Sequence, residues 1–387
     1  MNHAPDTSTS TSTSTSTSPS TSPSTSSSDG LIEDSAQRLF STQVDKGVRH
    51  RAETGELDAS LWQRVQDSGF GLLLAAESAG GFGQTWSAAY PVLRGLGYWQ
   101  VPLPLAETMV AAQLASLAGF EIPNGPLTLI EQGCGNTLHI DGGAGADTGT
   151  LTLSGVAHQV PWARHARAAL VSLADGRLAL LDLTDAAGVN VQPHANHAGL
   201  PSDTVTLQHA RLRAIAPNPL ALVQPVWTLG AVARSAMLVG ALESALEQAV
   251  RYAGERVQFG KPISKNQAIQ QSLALMAGDV AAARVAALVA AAQAPANSAD
   301  DCQATRFCAA VAKVRAGEAA TRGTSIAHQV HGAIGFTHEH ALHFSTRRLW
   351  AWRAEFGSDA QWAIELGRAA IQSRASGFWP AITRQHF

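Results

Sequence analysis

Apolar side chains change their spacing twice along this chain. From Gly30 to about Ile122 they recur at helical intervals, as in Leu61 and Val65 followed by Phe70, and Asp58 and Ser60 are placed to cap the helix carrying Trp62. Between about Pro123 and Pro219 the pattern shortens to apolar or alternating runs that read as strands: Leu127 to Ile130, Thr150 to Leu153, Ala168 to Leu173, Leu178 to Leu183 and Thr204 to Leu207. Asp175-Gly176, set between two such runs, is a hairpin signal. Helical spacing then returns. Leu238, Leu242, Leu246 and Val250 form one stripe flanked by Ala241, Ala245, Ala249 and Ala253. Gly260-Lys261-Pro262 stops that helix, and Gln267, Gln270 and Gln271 open a second with core positions Leu273, Met276, Val280, Ala283 and Ala287. Helices, then strands, then helices predict an α+β fold. The expected divisions are an N-terminal helical domain over 30–122, a small middle β domain over 123–219 and a C-terminal four-helix-bundle-like domain over 220–387.

Composition sharpens this picture. At 387 residues and 45% hydrophobic, the chain can bury a large core. Its formal net charge of −3 and the lack of a basic block give no footprint for nucleic acid or an anionic membrane surface. Residues 1–29 are almost a Ser/Thr alternation broken by Pro19 and Pro23, which predicts a disordered tail because nothing there offsets the entropy of ordering. This stretch has neither the charged start and apolar run of a secretory signal nor the arginines of a mitochondrial address. Elsewhere the longest apolar stretches are interrupted by Gly, Gln or charge, so no membrane span is expected and a cytoplasmic location is. Three cysteines, Cys134, Cys302 and Cys308, lack C-x-x-C spacing and fit a reducing compartment, with Cys302 and Cys308 packing as small apolar groups.

Chemistry concentrates in two C-terminal segments. Arg256 at the end of a helix offers a forked donor set for phosphate oxygens, Gln258 and Gln267 offer amide hydrogen bonds, and Gly332 and Gly335 would let a nucleotide approach the backbone closely. Each glutamine alone also reads as a solvated helix residue, and the glycines as a helix-terminating turn. His338, Glu339, His340 and His343 are crowded but lack H-E-x-x-H or other ligand spacing, so no metal is expected. Trp350, Trp352 and Trp362 read as packing residues.

In order, the two segments resemble the acyl-CoA dehydrogenase family. Arg251 through Met276, RYAGERVQFGKPISKNQAIQQSLALM, is similar to the start of that family's C-terminal domain. Gln329-Val-His-Gly332-Ala333-Ile-Gly335-Phe-Thr-His-Glu339 looks like its Q-x-x-G-G-x-G-x-x-x-E segment, with Ala333 in place of the second glycine. Leu72 to Gly83 is similar to a family loop that lines the acyl pocket, although Ala76 stands where proline is usual. Val160-Pro161 and Ala163 look like a shortened W-I-T-N strand, whereas the T-E-P-x-x-G-S-D loop has no clear counterpart. The resemblance implies FAD held by Arg256, Gln258, Gln267, Gln329, Gly332, Ala333, Gly335 and Ser358. It also implies an acyl-CoA substrate, electron-transfer flavoprotein as electron acceptor, and a homo- or hetero-oligomer in which the arginine and glycine segment reach a neighbouring subunit's flavin. Glu339 falls at a family glutamate expected to be structural, with Arg347 or Arg348 as its partner.

Oxidation between Cα and Cβ of an acyl thioester needs a base for the α-proton. The resemblance places the usual base, a glutamate, at Phe356, one residue after Glu355, and the alternative base at about Gly230. Three readings stay open. Glu355 could serve as the base after a local shift, or a related chain could supply the base to a FAD-binding or scaffold subunit, or the chain could be a flavin oxidase or monooxygenase. Within the family the chain is similar to the divergent bacterial members, including those of steroid side-chain degradation.

Overall fold

The computed structural model describes Met1 and residues 26–141, 151–184, 187–220, 222–296 and 302–384. The expected disordered tail, apart from Met1 and the residues from Ser26 onward, and the flexible turn expected after Asp141 lie outside the described residues. Five helices come first: α1 (Ser26–Gln43), α2 (Lys46–Glu53), α3 (Ala59–Asp67), α4 (Trp86–Tyr98) and α5 (Leu105–Leu117). Asp58 caps α3 by accepting from the Leu61 N–H at 3.0 Å, as its position before the apolar run predicts.

Seven strands follow: β1 (Leu127–Glu131), β2 (Thr137–Asp141), β3 (Thr152–Pro161), β4 (Ala168–Ser172), β5 (Arg177–Asp182), β6 (Val189–Gln192) and β7 (Ser202–Pro217). They form one sheet in the order β1-β4-β5-β7-β3-β2, with β6 also on β7; β1 pairs parallel with β4 and the other pairs are antiparallel. Sequence periodicity finds only Thr204 to Leu207 of the 16-residue β7, because the strand becomes polar where it passes from one set of partners to the other. It misses β2 and β6, whose residues are mostly partly exposed or exposed. The period-2 alternation has a structural use: Leu170, Leu178 and Leu180 join the large helical core, while Ala169, Val171, Ala179 and Leu181 point into a separate β core. Asp175-Gly176 makes the β4–β5 turn, with Gly176 at φ 83°.

Helices resume with α6 (Pro225–Glu255), followed by a two-residue-per-strand hairpin, β8 (Val257–Gln258) and β9 (Lys261–Pro262), then α7 (Gln267–Gln293), α8 (Gln303–His331), α9 (Leu342–Ala354) and α10 (Asp359–Arg384). Helix α6 is the spine. It ends at Glu255, five residues before the expected glycine stop, because Arg256 leaves helical geometry at ψ 114°. Its approach to α4 is close enough that a Cβ on Gly240 would lie 1.9 Å from the Arg94 carbonyl oxygen. By length and composition α6 and α7 could each cross a membrane, contrary to the sequence expectation, since glycine and glutamine do not break either helix. Of its most apolar stretch, α6 buries 83% within the protein and α7 only 28%. Cys302 and Cys308 are buried, as are Trp352 and Trp362, but Trp350 is on the surface under the Arg353 guanidinium, 5.2 Å from the ring centroid.

Candidate functional site

Where α6 begins, the sheet and α9 meet it, and the helix start is unusual. Its N-cap position, Gln224, makes no side-chain cap, and Pro225 has no N–H to offer. The cap comes instead from β1: Glu131 accepts the Trp227 N–H at 3.0 Å. Burial pushes the Glu131 carboxyl up to about 7, against the opposing pull of that N–H.

About two turns further along α6, Arg234 is almost wholly buried and holds two carboxylates. Its Nε donates to Glu355 at 2.7 Å and its Nη2 donates to Glu107, itself buried on α5. Burial works against the guanidinium charge, but Glu107 and Glu355 outweigh it and raise the pKa. Asn196 donates to the other Glu355 oxygen at 2.9 Å, so both oxygens are engaged. Beneath this pair Lys313 on α8 is fully buried and caps the end of α9, donating to the carbonyls of Trp352, Arg353 and Glu355 at 3.0, 3.1 and 2.8 Å. Burial pulls its ammonium down to about 7.

Phe356 follows in a left-handed conformation, φ 51°. This turn aims its ring at α6, where a Cβ on Gly230 would lie 2.4 Å from the ring's Cδ1. The two positions at which the family resemblance would put a base are therefore in contact, and one side chain fills both. Arg234 stands over the same ring at 5.3 Å.

A cleft of about 520 Å³ opens beside these groups, lined by His158, Gln159, His194, Asn196, Ser202 and Glu355 among others. A narrower recess of about 80 Å³ continues past Gln159 and Glu355 to Leu129, Asn136 and Phe356. The cleft is of cofactor size, in the range of roughly 300–1,000 Å³ common for such sites, and its β wall supplies amide and imidazole groups that can hydrogen-bond the polar edge of a flavin ring. These residues fit the group.

The other predicted cofactor residues lie elsewhere. Arg256, Gln258, Gln267, Gln329, Gly332 and Ala333 are exposed. A small apolar cluster of Ala249, Ala253 and Val330, with Tyr252, Ile263 and Leu273 against it, brings the end of α6, the start of α7 and the end of α8 together. Both motif segments thus share one end of the bundle. From Gly230 to Arg256 an uninterrupted helix spans about 39 Å at its regular rise, farther than one dinucleotide reaches. Gly335 is buried and packed, since a Cβ there would lie 2.8 Å from that of His331. Ser358 is the N-cap of a capping box on α10: its Oγ accepts the Gln361 N–H at 3.2 Å, and its own N–H donates to the Gln361 amide at 2.8 Å.

One expected pairing is corrected. Arg347 and Arg348 do not partner Glu339: Arg347 binds Glu53 at 2.9 Å, and Arg348 donates to the Phe344 carbonyl at 3.1 Å. Arg353 binds Asp359 at 3.1 Å, which leaves Glu355 to Arg234. Sequence periodicity overlooked Glu107, Arg234 and Lys313. For Glu107 and Arg234 a signal was available, because each is a lone charge inside an apolar helical run, and a charge placed there needs a buried partner; Lys313, close to Arg315 and Glu318, had none. Glu131 had a comparable signal: an acid closing an apolar strand ahead of Gly133 and Gly135.

Residues 222–371 match the family profile described as acyl-CoA dehydrogenase, C-terminal domain. The chain is 31% identical to the acyl-CoA dehydrogenase FadE27 of Mycobacterium tuberculosis over 342 residues, 79% of this chain and 88% of that one. It is 29% identical to the acyl-CoA dehydrogenase IpdE2 of the same organism over 297 residues, 75% and 80% of the two chains. In fold it matches a chain of the ChsE4-ChsE5 complex from Mycobacterium tuberculosis with a TM-score of 0.77 at 22% identity, over 91% of this chain and 99% of that one. The chain belongs to the acyl-CoA dehydrogenase family.

Proposed function

We propose that this chain takes part in flavin-dependent α,β-dehydrogenation of an acyl-CoA thioester, passing electrons to an electron-transfer flavoprotein, as the subunit of a mixed oligomer whose related chain supplies the base. One observation carries the reading: Phe356 fills the space at Gly230, so neither base position holds a carboxylate. Glu355, next to it, spends both oxygens on Arg234 and Asn196. Bound FAD would supply the hydride acceptor at Cβ. This chain's own part is to present Gln159 and His158 to the flavin ring in the cleft. Arg256, Gln258 and Gln267 would reach the nucleotide half of a cofactor in a neighbouring subunit, which accounts for their distance from the cleft. Apolar side chains left exposed along α7, Leu275 and Val285 with Leu288, and Phe259 at the hairpin tip suit coverage by such a neighbour.

Purified alone and then co-expressed with a related chain that keeps its glutamate, the protein should differ in one readout. Acyl-CoA should bleach the flavin absorbance only in the mixed oligomer. Bleaching by the chain alone, lost in Glu355→Gln, would instead make Glu355 the base and overturn the partner reading.

A further inference from the structure

On the far side of α9 from its Glu355 end, a second group of side chains has chemistry of its own. We propose that His50, Glu53 and His343 form a binding site for a divalent transition-metal ion of the zinc class, which pins the start of α9 to α2. His50 and Glu53 are three residues apart on α2 and so share one helix face, and His343 meets them from the first turn of α9. One ligand atom from each of the three lies within 4.8 Å of the others.

The strongest sign is the state of His343. Only 7% of it is exposed. Its Nδ1 lies 2.7 Å from the His340 carbonyl oxygen, which can only accept, so Nδ1 carries the proton and Nε2 of the neutral ring carries a lone pair. That Nε2 is buried and has no hydrogen-bond partner. A buried acceptor left unmet is costly, and an imidazole fixed in this tautomer by a backbone carbonyl is the usual arrangement of a metal-ligating histidine. The other ligands are also held in place. Glu53 accepts from Arg347 at 2.9 Å through one oxygen and turns the other toward His50, 3.7 Å away. The His50 ring stacks on His343 at 27° and meets Phe344 edge-on, with centroids 5.8 and 4.9 Å apart. His50 is partly exposed, which leaves an entry path.

Charge decides the class of ion. Arg347 pairs with Glu53, Arg348 is buried alongside, and Arg49 lies over Phe344 at 5.6 Å. With three guanidiniums around it, a single carboxylate leaves too few oxygens and too little negative charge for Mg²⁺ or Ca²⁺. Two imidazoles and one carboxylate suit a borderline ion bound through nitrogen, and three protein ligands leave a fourth position for water.

The full chain, without affinity histidines and stripped of metal, is titrated with Zn²⁺ alone and with Mg²⁺ alone. One equivalent of Zn²⁺ should bind and raise the melting temperature, Mg²⁺ should do neither, and Co²⁺ should give the visible absorption of a four-coordinate site. His50→Ala, at a partly exposed ring, should weaken Zn²⁺ binding by more than about tenfold, beyond the low end of what outer-shell partners contribute. Without metal it should keep the wild-type fold, read by circular dichroism. Glu53→Gln should weaken binding in the same direction, and His338→Ala, outside the ligand set, should not. No stoichiometric Zn²⁺ binding, or equal binding by wild type, His50→Ala and Glu53→Gln, would overturn the site.

Discussion

The two ends of α6 treat charge in opposite ways. At its start, Arg234 is buried between Glu107 and Glu355, and Glu131 is buried against the first turn, so every charge there has a partner within the fold. At its end Arg256 and Gln258 stand in solvent on a short hairpin, beside the fully exposed Phe259. Burial turns ionised groups into structure, because a charge removed from water must be matched by the protein itself. Exposure keeps them available to a ligand or a neighbouring chain. The end that keeps the family pattern is the exposed one. The buried end is where Phe356 stands at the position the resemblance gives to a carboxylate.

Breaking the buried end should have the largest effect. Arg234→Met leaves Glu107 and Glu355 without their shared cation and should destabilise the fold by about 3–5 kcal/mol, measured as a shift in denaturant midpoint at constant slope. A loss below about 1 kcal/mol would mean that the carboxylates find other partners or take up protons. Glu131 gives the next effect, and its sign is set by its raised pKa. Between its ordinary value of 4.5 and about 7 the folded state binds the extra proton. Stability from Glu131 is therefore fully present below 4.5 and lost as pH rises through about 7. Glu131→Gln keeps an acceptor for the Trp227 N–H and cannot ionise. It should remove that slope and be the more stable protein at pH 8, by about 3 kcal/mol at most; parallel pH profiles for the two proteins would contradict this. At the exposed end Arg256→Ala should leave thermal unfolding within about 0.5 kcal/mol of wild type. It should still weaken flavin retention in the assembled oligomer by roughly 1.5–3 kcal/mol through loss of a charge-assisted contact. Unchanged flavin content after dialysis would remove Arg256 from the cofactor site.

Much of the architecture was legible because local pattern and tertiary environment agree. In α6 Leu238 and Leu242 are buried together with the alanine flank from Ala241 to Ala253, although the stripe surfaces at Val250, and the apolar runs of β1, β4 and β5 are buried on both faces of the sheet. The exposed motif end was also legible, since Arg256, Gln267 and Gln329 lie close to helix ends that sequence can locate. What sequence could not supply was the pairing of residues far apart in the chain. Arg234 meets Glu107 across 127 positions and Glu355 across 121, and Lys313 reaches its carbonyls across about forty. Only the packing of α5, α6, α8 and α9 creates those contacts. Gly230 and Phe356 were each placed by counting, but that one fills the other's space depends on the left-handed turn at Phe356.

The central claim is that the chain lacks its own α-proton base, and Phe356→Glu tests it most directly. The new carboxylate would stand near Arg234, now 5.3 Å from the Phe356 ring, and beside the space at Gly230 that the ring vacates. Stopped-flow absorbance of the flavin, with acyl-CoA and without oxygen, should show no reduction for the chain purified alone. Phe356→Glu should gain it, at a rate higher by about 10²-fold or more, the usual worth of a positioned general base. Reduction of the wild-type chain alone at a rate equal to or above that of Phe356→Glu would contradict the claim.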